Sequence, residues 1–236
     1  MGKTLIQQAR GRAGPRYRTK KKAFRICIKY PSINYNGEAE ILKLLNVSCY
    51  RCPIAKIKTR DGEIFYNVAV KGLLEGQKIM INLCNGNPKI GDILPLGLIP
   101  VGLDVCNLES YKGSGGKFVR TSGISAKIIK KENNNLYLKM PSGKEKILPA
   151  DIRATIGIVA AGGRKEKPIL KAGKMVYIKG AIGGKVYPRT SAVKMNVIDH
   201  PFGSGRGKRI KSKIPKRNVP PGAKVGLLRA RRTGRG

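Results

Sequence analysis

Short runs of strand length, rich in β-branched or alternating apolar residues, recur through the middle of the chain. They read GEAEILKLLNVS, IAKIKT, EIFYNVAV and KIMINL, then GISAKIIKK, NLYLKM, EKILPA and TIGIVAA. Alternation suits a half-buried strand, because successive side chains leave opposite faces of a sheet. Turn formers separate the runs: Thr59-Arg60-Asp61-Gly62, Asn85-Gly86-Asn87-Pro88, Asn133-Asn134-Asn135 and Pro141-Ser142-Gly143. Close spacing and hairpin-like turns predict an all-β body of small barrels rather than a parallel α/β sheet. One helical turn is expected near Lys146 to Ala154, where polar and apolar positions mix.

The strand pattern stops at Glu109 to Gly116, ESYKGSGG, where glycines cluster. A barrel is predicted on each side, over residues 35–108 and 109–195, with a single β-sandwich as the alternative. Residues 1–34 and 196–236 lack hydrophobic periodicity and read as N- and C-terminal extensions.

Charge sharpens this division. The 236 residues carry 49 Lys plus Arg against 13 Asp plus Glu, a formal charge of +36. Residues 1–34 hold ten cations and residues 200–236 hold twelve, and neither stretch has an acid. A chain this basic repels itself until a polyanion neutralises it, and nucleic acid is the usual one. The extensions are expected to order on such a partner.

A membrane is the rival polyanionic surface, and the sequence argues against it. The apolar run ILPLGLIPVGL is too short to span a bilayer and contains Pro95 and Pro100. The opening MGKTLIQQARGRAGPRYRTKKK has no apolar signal core, and Ile6 stands where a myristoylation signal needs Ser or Thr. A cytoplasmic location is expected.

Candidate chemistry is sparse. Cys27, Cys49, Cys52, Cys84 and Cys106 are odd in number and irregularly spaced, so reduced, mostly packed thiols are expected. A zinc site at Cys49, Cys52, Cys84 and Cys106 is the weaker alternative, because Cys49-Tyr50-Arg51-Cys52 has no matching second pair. Gly113-Ser114-Gly115-Gly116-Lys117 imitates a phosphate loop, but Tyr111 and Phe118 occupy positions where that motif needs Gly and Ser or Thr. GSGRGKR fails in the same way, with Phe202 and Arg209 at those places. Both glycine runs can still bring backbone N–H groups near phosphates, with Lys117, Arg120, Arg206, Lys208 and Arg209 supplying charge.

Asp199-His200 contains the sole histidine. Sequence neighbours in an extended segment point apart, and only Ser204 lies near enough to serve as a nucleophile. His200 is therefore read as structural or RNA-contacting, with a nucleic-acid enzyme as the alternative. That alternative lacks an acidic cluster for two-metal chemistry, and a free nucleoid-compacting protein would need no patterned barrels. Tyr17 and Tyr187, set among cations, are candidates for stacking on bases or ribose, or for partial burial.

Several stretches resemble one family over nearly the whole chain and in the same order. PVGLDVCNLE, GSGGKFVRTSG, LPADIRATIGIVAAGG, RKEKPILKAGK and MNVIDHPFGSG are similar to the universal large-subunit ribosomal protein two family. NVPPGAKVGLLRARRTGRG and MGKTLIQQARGRAGPRYR resemble its archaeal and eukaryotic branch. The resemblance implies an OB-like barrel followed by an SH3-like barrel, with extensions threading into ribosomal RNA. It implies a structural constituent of the large subunit that supports assembly, subunit association and the peptidyl-transferase region, without turnover.

Its expected partners are large-subunit rRNA, neighbouring ribosomal proteins and, through an intersubunit contact, the small subunit; no homo-oligomer, membrane, metal or cofactor is expected. Arg10, Arg12, Arg16 and Arg18 would meet rRNA from the N-terminal side, and Lys117, Arg120, Arg153 and Arg164 from the body. Asn196, His200, Arg206, Lys208, Arg209, Arg229, Arg231 and Arg232 would do so from the C-terminal side. The loop from Met195 to Gly203 would face the peptidyl-transferase centre, with His200 as a supporting contact. Val197, Ile198 and Ser204 depart from the family's usual Pro, Val and Gly, and Arg206-Gly207-Lys208-Arg209 replaces its additional histidines.

Overall fold

The computed structural model describes residues 4–18, 26–47, 49–83, 86–164, 166–182, 187–205 and 218–226. The chain divides into two compact units, one of Lys22–Pro168 and one of Met1–Lys21 with Ile169–Gly236.

The first unit is all-β. Its strands are β1 (Gly37–Leu45), β2 (Ile54–Thr59), β3 (Ile64–Val68), β4 (Lys78–Ile81), β5 (Ile93–Pro95), β6 (Asp104–Cys106), β7 (Ala126–Glu132), β8 (Asn135–Lys139), β9 (Glu145–Pro149) and β10 (Arg153–Ile156). They form one sheet in the order β3-β2-β1-β4-β5-β10-β6-β7-β8-β9. Pairing is antiparallel apart from the single parallel contact of Ile81 with Ile93.

Each patterned run contributes to a strand, although TIGIVAA supplies only the last two residues of β10 and the bridge residue Val159, and the turn chemistry behaves as its residues require. Glu132 pairs with Asn135 across a two-residue loop in which Asn133 takes a φ of 50°, a left-handed conformation that asparagine tolerates. Bulges at Ile41/Lys43 and Ile128/Lys130 break the register of β1 and β7 and let these long strands bend. The stretch near Lys146 to Ala154, where a helical turn was expected, is strand, turn and strand: Ala150 N–H donates to Asn134 O and Leu96 N–H to Ile152 O. Pairing on both sides satisfies this backbone outside any helix.

Alternation along the strands feeds two apolar cores. Ala39, Ile41, Ala55, Ile57, Ile79 and Ile81 belong to one, from β1, β2 and β4. Leu94, Val105, Ile128, Leu138, Ala154 and Ile156 belong to the other, from β5 to β10. β2 serves both, since Ile54 faces the second core while Ala55 faces the first. The Glu109–Gly116 break interrupts the strand pattern but not the sheet, because β10 returns to lie between β5 and β6. Within the stretch read as an N-terminal extension, Ile28, Tyr30 and Pro31 are buried in this unit.

The second unit holds the two α-helices of the described residues, α1 (Ile6–Gly11) and α2 (Ala172–Ile182). Leu5, just ahead of α1, is buried, and Gln8 Oε1 accepts its N–H at 3.0 Å. α2 falls inside the stretch expected to be barrel and leaves Val176, Tyr177 and Ile178 exposed.

Candidate nucleic-acid interface

In the β unit, Arg153 opens β10 and meets Glu109, which follows the bridge residue Leu108. Arg153 Nη2 donates to Glu109 Oε1 at 3.0 Å, and both side chains are almost wholly buried. Nη1 donates to the Pro31 carbonyl at 2.9 Å and the Ser32 carbonyl at 3.3 Å, and the guanidinium lies 5.2 Å from the Tyr30 ring centroid. Glu109 also accepts the N–H groups of Arg153, Gly115 and Gly113. Burial works to raise the Glu109 pKa, but the hydrogen bonds from Arg153 and Gly115 outweigh it and hold the carboxyl below its usual range.

Arg153, expected to meet rRNA, has its fork engaged inside the fold by Glu109 and two carbonyls, and so holds the Glu109–Gly115 loop against β10. In the glycine loop, Gly113 and Gly115 turn their amides toward Glu109. Gly116 has a φ of +76°, and any Cβ there would collide with the buried Asn107 side chain.

A closed polar chain lies beside the pair. Tyr30 Oη donates to Asn107 O at 2.7 Å and lies 2.8 Å from Thr155 Oγ1. Asn67 Nδ2 donates to the same Thr155 oxygen, and Asn107 Nδ2 donates to Asn67 Oδ1. Burial pushes the Tyr30 phenol far above its ordinary pKa, so it remains a neutral donor.

The other predicted contacts of this unit differ in exposure. Lys117 and Arg164 are exposed, and Arg120 is half-buried with Nη1 donating to Gly116 O at 3.1 Å. Burial raises the Cys52 thiol and pushes Cys106 up to about 12, whereas Cys27 is exposed. Among the described residues, no group of three His, Cys, Asp or Glu could hold a metal ion, and no helix is long and apolar enough to cross a membrane. Cys84 lies outside the described residues.

In the other unit Arg10, Arg12, Arg16 and Arg18 are exposed around and after α1. Arg18 Nε donates to Ala13 O at 2.7 Å, and Arg12 Nη1 to Thr4 Oγ1 at 3.5 Å. The Met195–Ser204 loop closes on itself. Asp199 and His200 both donate backbone N–H to Asn196 O, Gly203 donates to His200 O, and Ser204 donates to Met195 O. A Cβ at Gly203 would strike the Asn196 carbonyl, which explains the glycine at this buried position. The Asn196 residue itself is exposed.

The Phe202 N–H donates to His200 Nδ1 at 3.1 Å, and the two rings lie 5.0 Å apart. Nδ1 is therefore an acceptor, which assigns the proton of the neutral ring to Nε2. Burial and the nearby Arg189 guanidinium lower the His200 pKa. Arg189 was missed in the sequence as a charge near His200, and Glu109 was seen only as part of a break. Arg206, Lys208, Arg209, Arg229, Arg231 and Arg232 lie outside the described residues.

Exposed cations on a chain of formal charge +36, most of whose regular structure is β-strand, are the make-up of a basic β-scaffold. Residues 89–221 match the family described as Ribosomal Proteins L2, C-terminal domain. The chain is 38% identical over 238 residues to large ribosomal subunit protein uL2 of Methanococcoides burtonii, covering 100% of both chains. It is 40% identical to the uL2 protein of Desulfurococcus amylolyticus, covering 100% of this chain and 99% of the relative. With the uL2 protein of Archaeoglobus fulgidus it shares 39% identity over 99% of each chain. The chain belongs to the uL2 family of ribosomal proteins.

Proposed function

We propose that this chain is a structural constituent of the large ribosomal subunit in the cytoplasm, binding large-subunit rRNA and performing no turnover. The observation that carries the proposal is its end-to-end similarity to proteins named large ribosomal subunit protein uL2. The formal charge of +36 gives that similarity a physical basis, because neutralising phosphates releases counterions.

On this reading residues 35–108 form an OB-like barrel and 109–195 an SH3-like barrel, flanked by the extensions 1–34 and 196–236. The bulges in β1 and β7 support closure of small barrels, since a bulge sharpens a strand's bend. Exposed Arg10, Arg12, Arg16, Arg18, Lys117 and Arg164 are phosphate contacts, as are the cations beyond Gly205. Asn196 and His200 contact RNA near the peptidyl-transferase region. Neighbouring ribosomal proteins and the small subunit are further partners, while Arg153 acts indirectly by fixing the loop that carries Lys117.

The test is binding of the purified chain to a large-subunit rRNA domain across a salt series. Affinity should fall linearly in log–log form, by up to about 0.9 per neutralised phosphate in a duplex. Salt-independent binding, or preference for duplex DNA, would reject the proposal.

A further inference from the structure

The unit containing both termini holds a half-open cavity of about 520 Å³ between the residues around α1 and the Met195–Ser204 loop. Its volume lies in the range of small-molecule sites, about 300–1,000 Å³. Three kinds of group line it. Ile6, Ala192 and Met195 supply apolar surface, Arg189 and Lys194 supply positive charge, and Gln7, Asp199 and His200 supply hydrogen-bonding groups.

That combination fits a nucleotide better than a bare anion. Phosphate alone gains nothing from apolar walls, whereas a base needs apolar faces and polar partners at its edge, and its phosphate needs the cations. Gln7 can both donate and accept, and the neutral His200 ring offers Nε2–H because Nδ1 is occupied by Phe202. The backbone bonds that close the loop hold this wall in place before a ligand arrives, which reduces the entropy lost on binding.

We propose that this cavity receives one unpaired nucleotide extruded from RNA, with the base against Ile6 and Met195 and its phosphate toward Arg189 and Lys194. The proposal rests on the RNA-binding reading above and adds a defined single-nucleotide receptor to it.

The test uses the full chain with 13C-labelled methyl groups, titrated separately with AMP, CMP, GMP, UMP and inorganic phosphate. At least one nucleotide should shift the Met195 and Ile6 methyl resonances saturably, while phosphate leaves them in place. Ala192→Trp, which fills the cavity and keeps every cation, should weaken nucleotide binding by roughly tenfold or more. Exposed Arg189→Gln should weaken nucleotide affinity while preserving the methyl shifts at saturation, so the inference does not depend on how well the tryptophan variant folds. Equal shifts with phosphate, no shift with any nucleotide, or undiminished binding by a folded Ala192→Trp chain would overturn it. The Ala192→Trp chain should retain salt-dependent binding to the rRNA domain, so loss of the nucleotide site is distinguishable from failure of the RNA-binding reading.

Discussion

His200 shows how a residue can look catalytic in a sequence and be structural in its immediate bonding. Its Nδ1 accepts the Phe202 amide, and its backbone groups bond to Asn196 and Gly203. A ring in that role must stay neutral, and burial with Arg189 nearby lowers its pKa accordingly. His200 should therefore titrate below the ordinary value of about 6.5, with Nε2 protonated in the neutral form. Because the folded-state pKa is depressed, this contribution to stability is full above the unfolded value and is lost as pH falls through the folded one. A 15N titration of the imidazole checks both points, and a protonated Nδ1 at neutral pH would contradict the bonding. The cysteines give a second test at this scale, because thiolate is the reactive form and burial suppresses it. Iodoacetamide should label exposed Cys27 rapidly in the folded chain and leave Cys106 unmodified until denaturant is added.

At the scale of elements, the Glu109 loop and β10 act as one piece. Removing one partner of a buried ion pair costs about 3–5 kcal/mol, since the other charge is left unpaired. Glu109→Gln should lower the urea midpoint by that amount of stability with the m-value unchanged. Glu109→Leu with Arg153→Met should recover only part of the loss, because the amides of Gly113, Gly115 and Arg153 lose their acceptor. The Glu109 pKa is depressed, so its contribution is complete above the unfolded carboxyl value of about 4.3 and disappears as pH falls through the lower folded value. Urea midpoints measured through that acid range should converge for wild type and Glu109→Gln.

Strands such as β4 and β8 were legible because their alternation of buried and more exposed positions reports a half-buried sheet, whereas β10, buried at every position, was legible only by its β-branched run. β5 and β6 were not, since three residues each cannot establish a period, and Ile93–Pro95 sits in a continuous apolar run. α2 was hidden by its own composition: Val176-Tyr177-Ile178 is β-branched and aromatic, and glycine occupies positions 173 and 180. The Arg153–Glu109 pair was not legible, because a sequence does not show which arginine will find a buried carboxylate.

For the whole molecule, folding and RNA binding should draw on different parts of the chain. The described β unit has two apolar cores and a satisfied buried ion pair, whereas residues 206–236 contribute twelve cations and no acid. Each phosphate that these cations neutralise steepens the dependence of binding on salt, a term separate from the apolar burial that drives cooperative unfolding. A chain ending at residue 205 should therefore retain the cooperative urea transition of the β unit and lose affinity for the rRNA domain at low salt. Its slope of log affinity against log salt should be shallower by about 0.7–0.9 for every phosphate contact removed. An unchanged slope would place the phosphate contacts on the body and on Arg10 to Arg18. A lost unfolding transition would show that the C-terminal cations also support the fold, through contacts that the charge distribution alone does not predict.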